Sequence, residues 1–360
     1  MDRRILIALW LASPACTASP SHLEQVSKRN EAVAAAFGER DEPSKAPDSQ
    51  AEAPVVLPLP LAPALSRHDV TLAAAPAGID EALWRDIGWF PADTTDISGF
   101  VDRESQSLAR WAESTIGERF PACNPLFGSI ERTYMMQQAD RDTATNVFYG
   151  AMTRAQERAC MQVALAAFEV TGEQRGDLTI ISNHDGPAVR LAWFAREQGT
   201  VAILEGSAPL EGWVKPVGTL VDQPALVRLV AMADHSRGMW SVGLRDYGTV
   251  FTGLASTGYM MTMTTPAASG EERLLEMTAQ LEFESPKAAQ QAERGAAAFA
   301  RDVPGAAELG IVLTVQAEGT WLKTAIKADL NKTDDKAMTA WLQQVLAKIQ
   351  ADVAAKGQGG

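Results

Sequence analysis

Basic patches, clustered histidines and long apolar runs are all scarce in this chain, and each scarcity removes a class of function. Lysine and arginine number 32 against 45 aspartates and glutamates, a formal charge of −13. The longest basic groupings, Arg3-Arg4 and Lys28-Arg29, lie outside the expected folded part, which argues against nucleic acid as a partner. Four scattered histidines and three cysteines show none of the short ligand spacings of a zinc site, and no cofactor is expected. Gly253, Gly258 and Gly270 make no phosphate loop, because no Gly-Lys-Ser or Gly-Lys-Thr accompanies them. No Gly-x-Ser-x-Gly elbow occurs either. Asp234-His235-Ser236 sets an acid, a base and a hydroxyl side by side, but adjacent residues seldom point at one another, and such a stretch between a helix and a strand caps and turns. Glu282 and Glu284 share a strand face and read as a solvated surface.

The apolar run at residues 5–12 is too short to span a bilayer but fits the core of a secretory signal. Ser13-Pro14-Ala15-Cys16 follows, small residues before a cysteine, as at a lipoprotein processing site where that cysteine is acylated. Ser13 stands where such sites usually carry leucine, so ordinary cleavage after Ala15 or Ala18 is the competing reading. With Cys16 acylated or removed, Cys123 and Cys160 remain as an even pair. In an oxidising compartment they are expected to form a disulfide; two buried thiols are the alternative.

Four segments emerge. Residues 1–16 are the leader, and residues 17–81 an Ala- and Pro-rich linker cut too often by proline for regular structure. Residues 82–215 and 216–360 are read as two α+β subdomains, the second closing with a helix. The plainest architecture lies at residues 271–330. Met277, Ala279, Leu281 and Phe283 alternate with polar residues as a half-buried strand, and Ser285-Pro286 opens a helix with inward alanines. Two further alternating runs, beginning near Ile311 and Leu322 and joined at Glu318-Gly319, make a hairpin. A similar order precedes it: a helix at 105–120, strands at 130–136 and 145–151, a helix opened by the capping box Thr153-Arg154-Ala155-Gln156, then strands at 178–182, 189–195 and 200–204 with a turn at Asn183-His184-Asp185-Gly186. In the second round the pattern predicts a helix at 224–233 and strands at 238–244, 251–255 and 259–265. The expected fold is α+β: two related strand-helix-hairpin subdomains, mostly antiparallel sheets with helices packed on one face.

Pro91-Ala92-Asp93-Thr94, the short strand and helix after it, Cys123, the later helix with Cys160, and the Met239-Trp240 strand together resemble a group of uncharacterised bacterial exported lipoproteins. In these a Pro-Ala-Asp opening begins a duplicated α+β domain, and the likeness spans roughly residues 89–330. The resemblance implies an envelope protein without an assigned reaction and lends no catalytic residues.

The expected role is therefore non-catalytic binding or structure in the cell envelope, with the membrane as partner through a lipid anchor on Cys16 and with a protein partner unknown. Tyr259, Met261 and Met263 alternate on one strand face and, with Tyr134-Met135-Met136, mark a candidate apolar-ligand site; plain core packing is the other use of such residues. A lipid carrier with a Met-rich cavity is thus the alternative function. An envelope hydrolase, needing His184 or His235 to meet a carboxylate from elsewhere, stands behind it.

Overall fold

In a computed structural model, residues 74–100, 121–139, 145–168, 171–175, 178–182, 189–196, 199–205, 218–236, 238–252, 254–264, 274–301, 305–306, 309–329 and 341 are described. The expected leader, most of the linker, the helix at 105–120, the His184 turn and all but Trp341 of the closing helix lie outside them. The chain divides into two compact units, Leu57–Asp334 and a second made of Met1–Val56 with Asp335–Gly360.

Within the larger unit the α-helices among the described residues are α1 (Glu81–Ile87), α2 (Asn124–Phe127), α3 (Arg154–Phe168), α4 (Pro224–Met232), α5 (Gly248–Thr252) and α6 (Pro286–Arg301). The strands are β1 (Thr94–Phe100), β2 (Ile130–Gln138), β3 (Thr145–Gly150), β4 (Thr171–Arg175), β5 (Leu178–Ser182), β6 (Val189–Arg196), β7 (Gly199–Glu205), β8 (Met239–Gly243), β9 (Gly258–Thr264), β10 (Leu274–Glu282), β11 (Ile311–Glu318) and β12 (Trp321–Asp329). All twelve form one antiparallel sheet, in the order β11-β12-β10-β9-β8-β1-β2-β3-β7-β6-β5-β4.

The α+β, antiparallel character expected from the sequence is what the chain adopts. The division expected between residues 215 and 216 falls inside this sheet, because β8 pairs directly with β1, Ile97 opposite Val242. Each half runs a three-strand meander, then a helix, then further antiparallel strands whose last member pairs with the third strand: β7 with β3, β12 with β10. Of residues 251–255, predicted as a strand, Phe251 and Thr252 instead end the short helix α5. There Asp246 accepts from the Thr249 amide at 3.1 Å, and Thr252 Oγ1 donates to the Gly248 carbonyl at 2.8 Å. These local side-chain bonds favour a turn of helix over an extended chain.

Local signals set the element starts. Thr153 and Gln156 form the capping box reciprocally: Thr153 N–H donates to Gln156 Oε1 at 2.7 Å, and Gln156 N–H to Thr153 Oγ1 at 3.3 Å. Ser285 Oγ accepts from Ala288 N–H at 3.2 Å, and Pro286 occupies the first helical position of α6. Asp80 caps α1, accepting from the Ala82 and Leu83 amides.

Both faces of the sheet carry helices, where one covered face was expected. On one face α1 and α4 bury Trp84, Ile87, Leu226, Leu229 and Val230 against Ile97, Tyr134, Met136, Val147, Trp240, Val242 and Met260. Gly99 belongs to this layer: a Cβ there would overlap the indole of Trp240, its cross-strand neighbour. At the β12–β11 edge the buried side is the opposite one. Leu322 and Ala328 are buried while Lys323 and Lys327 are exposed, so α6, packed on β11 and β12, lies on the Leu322 side.

Candidate functional site

Strand pairing gathers the methionines on the face away from α1 and α4. Met263 of β9 lies directly opposite Met239 of β8 and Met277 of β10. One row along, Met261 sits between Ser241 and Ala279, and Ser98 between Ser241 and Met135. Tyr259 completes the strand's contribution, between Gly243 and Leu281. Tyr259, Met261 and Met263 thus share the face anticipated for them. Tyr259 and Met263 are buried, as are Met135 and Met239, whereas Met261 and Met277 are half-buried. Of the Tyr134-Met135-Met136 stretch only Met135 joins them, since Tyr134 and Met136 belong to the opposite core.

Polar groups cross the same face. Ser98 Oγ donates to Ser241 Oγ at 2.9 Å, which lies 3.2 Å from the Tyr259 hydroxyl. Asp96, next in that direction, accepts from Thr95 Oγ1 at 2.7 Å and pairs with Arg245 Nε at 2.8 Å. A Cβ on residue 243 would overlap the Asp96 carboxylate, so glycine is what lets that carboxylate lie against β8. Burial pushes the Asp96 carboxyl above its ordinary value, against the pull of Thr95, Arg245 and Tyr259. Tyr259 is held well above its ordinary value, by burial first and then by the Asp96 charge.

A second acid fixes α1 to the sheet. Asp86 Oδ2 accepts from Arg132 Nε at 2.6 Å and from the Tyr134 hydroxyl at 2.9 Å. The Tyr149 hydroxyl donates to the Asp86 backbone carbonyl and accepts from Trp89 Nε1 at 2.8 Å. The Arg132 guanidinium also lies 5.5 Å from the Tyr149 ring centroid. The Pro-Ala-Asp opening is tied in the same manner: Asp93 Oδ1 accepts from Gln138 Nε2 at 2.7 Å, the Ala92 carbonyl from Gln223, and the Pro91 carbonyl from Thr94 Oγ1 at 2.6 Å. That motif is the anchor of β1. Asp246 accepts from Thr249 and, at 2.8 Å, from the Ser256 amide; although burial works to raise it, these bonds hold its carboxyl below the ordinary value.

Across the sheet a cleft of about 220 Å³ opens between the end of α4 and strands β9 and β10, lined by Met232, Ala233, Asp234, Met260, Thr262, Thr278 and Gln280. It lies on the opposite face from Tyr259, Met261 and Met263 and uses the alternate residues of the same strand. Next to it, Asp234 Oδ1 accepts from the Ser236 amide at 3.1 Å and the Ser236 hydroxyl at 2.5 Å, so this stretch caps its own turn. His235 stacks edge-on against Trp240 with centroids 4.8 Å apart, and its buried Nε2 meets no hydrogen-bond partner among the described residues. Glu282 pairs with Arg228 of α4 at 2.5 Å.

Burial lowers the His235 pKa, while Asp234, the Val230 carbonyl and Asp80 oppose it. The folded protein therefore resists a proton that the unfolded chain accepts near the ordinary histidine value of 6.5, and stability falls as pH drops below that value. His235→Phe, which keeps the stacking, should flatten the dependence of unfolding free energy on pH below 6.5. An unchanged slope in urea titrations of the variant would refute the assignment.

No family model matches the chain, and no curated protein does. Solved structures of TP0453 are similar to it. Crystal form I has a TM-score of 0.39 at 8% identity, covering 72% of this chain and 96% of that one. Crystal form III also has 0.39 at 8%, covering 71% and 95%, and crystal form IV 0.37 at 9%, covering 68% and 95%.

Among the described residues no helix is long and apolar enough to cross a membrane, and no group of three or more histidines, cysteines or acids could hold a metal ion. Cys123 and Cys160 are joined in a disulfide between the turn before α2 and helix α3. Sequence reasoning singles out Tyr259, Met261, Met263 and both cysteines. It missed Met239 and Met277 as their neighbours, and it missed Asp86 and Asp96 altogether. Cross-strand register, which decides those meetings, has no signature in a single strand's pattern.

Proposed function

We propose that the protein acts in the bacterial cell envelope as a non-catalytic binding or structural protein, held to the membrane by acyl groups on Cys16. The observation that carries this reading is the Cys123–Cys160 disulfide, because such bonds persist in oxidising compartments and are rare in the cytosol. The use made of the buried acids supports the non-catalytic part. Asp86 and Asp96 are engaged by arginines and hydroxyls that fasten helix to strand and strand to strand, which is a structural employment of charge. His235 faces an indole, and the carboxylate beside it is occupied by Ser236.

The carrier reading is favoured by the row of Met239, Met263 and Met277, since thioether side chains adapt to varied apolar shapes. It is the weaker reading. Met239 and Met263 are already buried, and the 220 Å³ cleft on the other face is smaller than the roughly 300–1,000 Å³ of ordinary small-molecule pockets.

Fractionation of the native host tests the anchor. Wild-type protein should pellet with membranes and Cys16→Ala should leave that fraction; a variant that stays membrane-bound would remove the lipid anchor from the account.

A further inference from the structure

We propose that the cleft under the end of α4 binds a single neutral pyranose, a sugar ring presented alone or at the end of a glycan.

The lining is divided between two chemistries. Met260, 5% exposed, and Ala233 supply an apolar wall, and Met232, 49% exposed, overhangs it. Thr262 and Thr278 face one another across β9 and β10 with hydroxyls 2.6 Å apart. One row along, opposite Met260, the Gln280 carboxamide makes no hydrogen bond among the described residues. Asp234 stands at the mouth, with Oδ1 already accepting from Ser236.

These groups select a ligand by elimination. The lining contains no lysine or arginine; Arg228 on the same helix is divided between Glu282 and the sulfur of Met232, and the carboxylate of Asp234 disfavours an anion beside it. A long acyl chain would leave the Gln280 carboxamide without partners, at the cost of its desolvation, while Thr262 and Thr278 went on satisfying only each other. An ammonium ion would use the acceptors but waste the donors of the Gln280 carboxamide, and no aromatic ring lines the cleft to face it. A hydroxyl both donates and accepts, as the threonine hydroxyls do. A pyranose carries such hydroxyls around its edge and presents C–H groups on its faces, matching the thioether and methyl wall. The 220 Å³ equals about seven water volumes, room for one six-membered ring with its substituents.

The test uses the full chain with ¹³C-labelled methionine methyls. Met232 and Met260 report on the cleft, while Met239 and Met263 on the opposite face serve as internal controls. The methyl glycosides of glucose, galactose and mannose and free N-acetylglucosamine are each titrated into the millimolar range, with hexanoate and hexylamine as comparisons. At least one sugar should shift Met232 and Met260 saturably and leave Met239 and Met263 in place. The double substitution T262V/T278V should weaken that binding about tenfold. Gln280→Ala is the second variant, and unchanged Met239 and Met263 signals certify that either variant is folded. The proposal is overturned if no sugar gives a saturable shift, if hexanoate or hexylamine binds instead, or if both variants bind sugar as the parent does.

Discussion

Replacing Asp86 with alanine should cost about 3–4 kcal/mol of unfolding free energy, the loss expected when one member of a buried, hydrogen-bonded charge pair is removed. The carboxylate is only 7% exposed and receives both the Arg132 guanidinium at 2.6 Å and the Tyr134 hydroxyl at 2.9 Å. Alanine would leave Arg132, 30% exposed, as a half-buried cation with only the exposed Glu131 at 3.5 Å to face, and Tyr134 as a buried hydroxyl without its acceptor. The damage would not stay local. Asp86 lies on α1, whose Trp84 and Ile87 seal the central strands, and its backbone carbonyl also holds Tyr149. Urea denaturation measures the effect directly, and adding Arg132→Met should recover part of the loss by removing the stranded charge. A single-variant loss below about 1 kcal/mol, the worth of an exposed pair, would show that this cluster does not fasten α1 to the sheet.

Converting both Cys123 and Cys160 to alanine should cost about 4 kcal/mol. The bond closes a loop spanning 37 residues, and the chain-entropy estimate for such a loop is about 4 kcal/mol at room temperature. The cysteines are 0% and 4% exposed and pack with Leu126 and Phe127, so the sulfurs also fill space that alanine would leave empty. Reduced wild-type protein separates the two contributions, because it keeps the sulfur atoms while losing the cross-link. The reduced protein should unfold at a distinctly lower urea concentration than the oxidised one, and the alanine variant lower still. Coincident curves for all three would mean that the bond constrains little in the unfolded chain.

How much of this was legible in the sequence depended on where in the sheet a residue lies. The hairpin at one edge reads cleanly because only one side of it is buried: β11 alternates from Ile311 to Glu318 between shielded and exposed positions. At the centre the pattern fades. All five residues of β8 are buried, as are five of the seven in β1 and six of the nine in β2, because covered faces on both sides leave little polar alternation to detect. The helix starts were visible, since Thr153 with Gln156 and Ser285 with Pro286 act within one turn of the chain. Helix α5 was not, because the local bonds of Asp246 with Thr249 and of Thr252 with Gly248 act together with a bond from Ser256, ten residues from Asp246, that closes the loop. The acids were hidden for a related reason. Asp86 and Arg132 are 46 residues apart, and Asp96 reaches Arg245 only because β1 and β8 are neighbours. The cysteines were readable by parity alone.

The account as a whole turns on export and anchoring, and intact mass tests both in one measurement. Protein taken from the envelope of its native host, weighed with and without reductant, should begin at Cys16 with acyl mass attached and gain two hydrogens when Cys123 and Cys160 are reduced. A species that retains Met1 and shows free thiols before reduction would contradict the envelope reading and the function proposed from it.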